Sequence, residues 1–241
     1  MGLITVVCWR WGSKYGKEHI AKLQSMLARN LSIPHELVCI TDRRDDLPVG
    51  VRPFQMPRTP MKDWKCIRRM WLYSYEASKI GKRILQLDVD MVLTGSIDPI
   101  VDRPEPFVIW KSESNFGEKW AYNATVMLLN AGARSDVWDR WVKDPRGSCK
   151  AAAAAGLNPR VNSDQAIATY YLKDNPPATW TTDDGIYAYR VIAGKHGMKD
   201  HGLPENARIV SFHGSSKGGP VRDPSNSELY ERSPWVKEHW R

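Results

Sequence analysis

The sequence predicts an α/β protein built on a mainly parallel, mixed central sheet with helices on both faces. Three observations carry that expectation. Short β-branched runs alternate with segments of helical period, and over residues 1–93 the order reads strand, helix, strand, helix, strand. An apolar share of 42% beside 26% charged residues is that of an ordinary globular chain, which excludes a collagen, a disordered tail and a disulfide-rich miniprotein. A length of 241 residues is enough to bury a sizeable core.

Residues 3–8 (LITVVC) form a compact β-branched run and read as a buried strand. Residues 17–30 follow with Ile20, Leu23 and Leu27 at helical spacing, and residues 37–41 (LVCIT) make a second strand. The Pro-rich stretch 48–60 reads as a loop or extended segment. Residues 67–80 read as a helix through Ile67, Met70, Trp71, Ser74 and Ser78, and residues 84–93 (ILQLDVDMVL) as a third strand carrying two acids. The second half is more mixed. Strands are expected at 107–110, 125–129 and 208–212, and helices at 134–143 and 163–172. The five alanines at 151–155 fit either a helix extension or a surface stretch, and the tail beyond Gly218 is rich in Pro, Ser and charge and closes with Trp235 and Trp240. No internal repeat or clean linker divides the chain, so a single domain over 1–241 is expected, with a first half at 1–93 and a second at 94–241.

The four cysteines, Cys8, Cys39, Cys66 and Cys149, are far apart with no Cys-x-x-Cys spacing, which suggests reduced thiols in a cytoplasmic protein rather than a zinc site or disulfide framework. No segment approaches the roughly 20 apolar residues of a membrane span, and the apolar N-terminus is too short and wrongly flanked for a signal peptide. With 35 Lys and Arg against 27 Asp and Glu, the net charge of +8 favours anionic partners such as nucleotides, nucleic acid or acidic glycans, or serves only to keep the protein soluble. Eleven tryptophans are many for this length; the ring stacks on sugars and bases and also fills cores.

The strongest chemical signal is Asp88-Val89-Asp90 inside an apolar run, where two carboxylates are expensive unless compensated. At i and i+2 of a strand they face the same way and can share a cation at the sheet's carboxyl edge, where open α/β sheets bind ligands. Such hard oxygen donors suit Mg²⁺ or Mn²⁺, and His213, at the end of a strand, is a candidate third ligand that favours Mn²⁺. The glycines of the segment from His213 to Gly219 allow backbone to approach a phosphate, which Lys217 can neutralise. Asp164-Gln165, at the start of a helix, either binds hydroxyl groups or caps the helix.

The order Asp-x-Asp, Asn-x-x-Val, Asp-Gln, His-Gly-x-x-Lys resembles that of GT-A-fold glycosyltransferases. It is closest to the family-8 retaining enzymes and to a bacterial and phage branch of that group. The resembling segments are VCWRWGSKYG from residue 7, VCITD from 38, Trp64-Lys65, LQLDVDMVLTGSIDPI from 85, YNATVM from 122, SDQA from 163, RIVSFHGSSKGGP from 208 and WVKEHW from 235, and they span nearly the whole chain in order. The resemblance implies a Rossmann-like GT-A domain. It implies transfer of a sugar from a nucleoside-diphosphate donor, a UDP-sugar or a GDP-sugar, to an acceptor hydroxyl with Mn²⁺ or Mg²⁺. It places Asp88 near the ribose and metal, Asp90 and His213 as metal ligands, and Gly214 and Lys217 on the diphosphate. Lys65 fits the basic residue that holds the donor, Asn123, Asp164 and Gln165 fit the sugar site, and Gln165 lies toward the acceptor. The family often carries Asp-x-Asn after the first strand to read uracil, which this chain lacks. Trp11 or Tyr15 is instead expected to stack on the base, and Arg10 or Lys14 to meet phosphate. With no Glu well placed beside Gln165, retention by front-face attack is expected. A hydroxylated DNA base is one acceptor that the charge and the phage-like relatives suggest, beside saccharide, lipopolysaccharide or protein. Two other readings stand: a haloacid-dehalogenase-type phosphatase using Asp88, Asp90 and the pair Asp183-Asp184, and a non-catalytic nucleic-acid-binding protein.

Overall fold

Parallel pairing organises the first half. β1 (Ile4–Arg10) lies between β2 (His35–Thr41) and a later strand, with α1 (Lys17–Asn30) as the crossover; Val7 pairs with Val38 on one side and with Gln86 on the other. The computed structural model describes residues 2–61, 65–111, 122–158, 163–195, 202–212 and 223–241. β3 (Arg52–Gln55) pairs only with β2, at the sheet edge. This strand lies within the Pro-rich stretch; an edge strand tolerates Pro53 because the N–H that proline lacks is not needed on the open side.

The expected helix over 67–80 is two 3-10 helices, Lys65–Tyr73 and Tyr75–Lys79. Ile67, Met70 and Tyr73, all buried, recur every third residue, a spacing that three residues per turn satisfies as well as 3.6. The expected strand over 84–93 also divides, into β4 (Arg83–Leu87) and β5 (Met91–Leu93). The break falls on Asp88–Asp90, where the chain leaves one sheet for another. α2 (Asp98–Val101), β6 (Phe107–Lys111) and β7 (Tyr122–Asn130) follow. The alanine run is the end of a helix: α3 (Ser135–Lys143) is followed by α4 (Pro145–Ala154), and Gly156, at φ 80°, ends it in the left-handed conformation that glycine adopts freely. α5 (Ser163–Leu172), β8 (Ala178–Trp180), β9 (Ile186–Ala188), α6 (Tyr189–Lys195), β10 (Ile209–Ser211), α7 (Leu229–Arg232) and α8 (Pro234–His239) complete the order.

The central sheet has seven strands in the order β3-β2-β1-β4-β7-β6-β8, with β7 antiparallel to both neighbours; a second sheet has the order β5-β10-β9. This is the expected mixed α/β class. The alternation of β1 divides its side chains between two cores. Ile4, Val6 and Cys8 face α1, β5 and the C-terminal helices, whereas Val7 and Trp9 face the 3-10 helices and α3–α5. The four cysteines are free. Among the described residues no helix is long and apolar enough to cross a membrane.

The segment 223–241 belongs to the first of these cores through Leu229, Trp235, Val236 and Trp240. It grips α1 at both ends. Arg29 donates to the carbonyl of His239 at 2.8 Å, and the buried His19 ring lies 3.4 Å from the Asp223 carboxylate, with Tyr15 and Trp240 edge-on at 5.0 and 5.6 Å. Burial opposes charge on His19, but Asp223, with Glu18 beside it, raises its pKa above 6.5; burial likewise opposes charge on Asp223, and hydrogen bonds from His19 and Ser225 overcome it to hold that carboxyl at about 2. The lowered Asp223 contributes stability that is present above 3.8 and lost as the pH falls toward 2. The raised His19 contributes stability that is complete below 6.5 and lost as the pH rises past its folded value. The protection of the amides of residues 223–241 against exchange, relative to the unfolded-chain rate at each pH, is therefore expected to be greatest between these limits, and His19→Gln is expected to flatten the alkaline limb.

Candidate active site

The carboxyl ends of β1 and β4, the amino end of the antiparallel β7 and the first turn of α5 converge on a buried charge network. Asp88 follows β4, and its backbone N–H still donates to the Thr125 carbonyl of β7 at 3.2 Å. One oxygen of its carboxylate accepts from Arg69 at 2.6 Å and from the Gln86 amide at 3.2 Å; the other accepts from the Thr125 hydroxyl at 3.1 Å. Arg69 comes from the first 3-10 helix, is 6% exposed, and turns its Nε to within 2.7 Å of Asp164 on α5. Burial opposes the charge on Arg69, but Asp164 and Asp88 outweigh it and push the guanidinium pKa further up. Asp164 is raised by its own burial, against the pull of Arg69. Neither Asp164 oxygen has an aligned hydrogen bond among the described residues, so the close contact with Arg69 is a charge contact that leaves acceptor capacity unmet.

Asn123 and Gln165 close the ring. Gln165 donates to the Asn123 side-chain oxygen at 2.9 Å, and the Thr125 backbone N–H donates to the same oxygen at 3.0 Å. The residues expected at the sugar site, Asn123, Asp164 and Gln165, thus meet Asp88 through Arg69 and Thr125.

Asp90 stands beside this ring and is 8% exposed. Burial and the neighbouring Asp88 charge push its pKa up to about 6, although Tyr15 donates to it at 2.5 Å and Lys14 lies 3.9 Å away. Burial, then Asp90, raise the Tyr15 phenol. Tyr15 therefore has its hydroxyl on the acid and its ring edge-on to His19. Lys14 donates to the Tyr15 hydroxyl and sits over its ring. Trp11 is partly buried and meets Trp9 edge-on at 6.3 Å. Arg10 does not face this edge as a phosphate ligand: its side chain is fully buried and pairs with Asp46 at 2.5 Å.

β10 brings the chain back to the acids. The Phe212 N–H donates to the Asp90 carbonyl at 3.0 Å, and its ring stacks on Tyr189 at 4.5 Å. His213, Gly214 and Lys217 lie outside the described residues, as does the side chain of Lys65. Among the described residues no group of three or more His, Cys, Asp and Glu side chains is arranged to hold a metal ion.

Three residues of this site are absent from the sequence-based expectation: Arg69, Gln86 and Thr125. The signal for Arg69 is electrostatic. Two carboxylates that fold into one interior require a buried cation, and the segment ahead of Asp88 supplies several. Asp183 and Asp184, which the phosphatase reading needs, instead form part of a 3-10 turn at Thr182–Asp184, where Asp184 accepts from the Thr181 N–H at 2.8 Å.

No family model matches the chain, and no curated protein matches it. Solved structures that share its fold include two of the glycosyltransferase GlyE in Streptococcus pneumoniae TIGR4. The apo form has a TM-score of 0.60 and 15% identity over 98% of this chain and 60% of that chain. The second structure has a TM-score of 0.61 and 14% identity over 98% and 61%. The chain thus spans about 60% of the length of these neighbours and shares their fold.

Proposed function

We propose that this chain is a metal-dependent retaining glycosyltransferase that moves a sugar from a nucleoside-diphosphate sugar, a UDP-sugar before a GDP-sugar, to an acceptor hydroxyl. The observation that carries the reading is Arg69. Through it the Asp88 edge of the sheet and the Asp164-Gln165 turn of α5 share one interior, with Asn123 at their junction. Metal and sugar functions need that proximity; separate structural caps do not.

Hard oxygen donors of this kind suit a divalent cation. Asp90 is a hard oxygen ligand in a nearly closed setting, next to a second carboxylate whose charge it resists. Asp90 and His213, with Asp88 adjacent, would hold such a cation, and it would supply positive charge to the leaving diphosphate. The rest follows from the chain's own side chains. Asp164 borders the donor sugar and holds Arg69 in place beneath it. Asn123 fixes the Gln165 amide beside the anomeric carbon. Lys217 meets the diphosphate. The bond from the anomeric carbon to the diphosphate oxygen breaks as the acceptor oxygen bonds the same face. The acceptor proton passes to the departing phosphate oxygen, so no protein base is required. The phosphatase reading places its nucleophile at Asp88, yet both oxygens of that carboxylate already accept hydrogen bonds. The +8 charge supports an anionic acceptor, including a hydroxylated DNA base.

The purified chain with Mn²⁺ and a panel of UDP- and GDP-sugars is expected to release nucleoside diphosphate, and a chelator is expected to stop it. Silence across the panel, or a trapped aspartyl-phosphate, overturns the reading. Asp90→Asn separates function from stability. The variant should lose metal-dependent nucleotide binding. Its thermal midpoint should rise, by about 1–3 kcal/mol of stability at neutral pH, because an acid whose pKa is raised to about 6 opposes folding once ionised. Gln165→Ala should lower kcat roughly 10- to 100-fold while changing donor affinity little, since its interaction is made with the reacting centre. Unchanged turnover would displace the sugar from this position.

A further inference from the structure

The buried amide of Gln86, the penultimate residue of β4, is wholly shielded from solvent, on the face it shares with Ile84 and Asp88. It has no place in the reading above. It lies in register with Val7 of β1 and Met127 of β7, amid side chains that offer no polar contact. Two exceptions flank it: the Trp9 indole donates to its oxygen at 2.8 Å, and its nitrogen donates to Asp88 at 3.2 Å.

The polarity of this chain of bonds is forced from one end. An indole N–H donates and never accepts, so the Gln86 oxygen must face Trp9 and its NH₂ must face Asp88. Flipping the amide would set N–H against N–H at Trp9 and oxygen against a carboxylate oxygen at Asp88. Trp9 is held in turn by burial and by its edge-on contact with Trp11. At Asp88 the amide and Arg69 converge on one oxygen while Thr125 takes the other, which fixes the plane of the carboxylate.

We infer that Gln86, oriented by Trp9, is a positioning residue that sets the carboxylate of Asp88 for its role in the donor site. The inference rests on the glycosyltransferase reading for what Asp88 does, but not for the bond chain itself. Gln86 touches no donor atom; it acts through Asp88, and Trp9 acts through Gln86. A buried amide in a strand that apolar residues would otherwise fill is retained because it directs a charge.

Gln86→Met keeps volume and removes the amide, and Trp9→Phe keeps an aromatic ring and removes the N–H. Each is expected to lower kcat for donor turnover, Gln86→Met by about 10- to 100-fold, the range for groups that orient a metal-site ligand. The double variant is expected to be no slower than Gln86→Met alone, because Trp9 has no second route to Asp88. A second measurement needs no donor. The Gln86 side-chain amide, assigned as the ¹⁵N–¹H pair lost in Gln86→Met, is expected to shift in Asp88→Asn and again in Trp9→Phe. If turnover is silent in all proteins while the amide shifts as stated, the glycosyltransferase reading fails and the positioning chain stands. If the amide is unmoved by Trp9→Phe, or if the two losses of kcat simply multiply in the double variant, the inference is overturned. Should Gln86→Met not fold, the amide is assigned by through-bond resonance assignment of the unsubstituted protein, and its shift in Trp9→Phe and Asp88→Asn decides.

Discussion

The guanidinium of Arg69, closed in between Asp88 and Asp164, is the constraint on which the site depends. Three charges leave water together, and each would be prohibitive alone. Their net charge is negative, and Asp90 adds a further carboxylate close by. The interior at the sheet's carboxyl edge is therefore under-compensated. That imbalance is what the proposed reading draws on when it sets a cation and sugar hydroxyls at this edge. It also ties together, at the edge of the core they share, the first 3-10 helix, the end of β4 and the start of α5. The carboxylate of Asp164 further sits in the first turn of α5, where the helix dipole favours a negative charge.

Much of the fold was legible in the sequence because burial leaves a period. The limits of α1 coincide with the expected 17–30, and β1 and β2 differ from expectation only at their ends. What escaped were elements too short to show a period, such as β8 and β9, and those whose composition argues against them, such as β3 with Pro53 at an open edge. The site divides the same way. Asp88 and Asp90 stood out because acids are rare in apolar runs. Arg69 did not, because in KCIRRMWLY a basic residue reads as the solvated face of an amphipathic helix. Gln86 was hidden for a similar reason: in a strand of alternating faces one polar residue passes as outward-facing, and only the helical layer above it turns that face into interior.

The basic excess looks different once the arginines are placed. Arg10 is buried against Asp46, Arg52 pairs with Glu36, and Arg134 pairs with Asp136. Arg83 donates to the carbonyls of Arg103 and Glu105, which joins the start of β4 to the turn before β6. These guanidiniums act as internal ties, suited to them by several donors in a fixed plane. A count of positive residues therefore overstates the surface available to an anionic partner, and the argument for such a partner is correspondingly local rather than global.

The C-terminal segment belongs to the site's support although little in its sequence announces a packed element. α1 presents Leu23, Met26 and Leu27 to the core that Trp235, Val236 and Trp240 complete. From the N-terminal end of the same helix His19 meets both Asp223 and the Tyr15 ring, and Tyr15 donates to Asp90. Phe212 makes a second link, with its N–H on the Asp90 carbonyl and its ring against Tyr189 and Trp235. Asp90 is thereby held from two sides by groups that themselves rest on residues 223–241. Fixing a repelled, buried carboxylate requires rigid neighbours on every side, and here the last stretch of the chain supplies those that the central sheet does not.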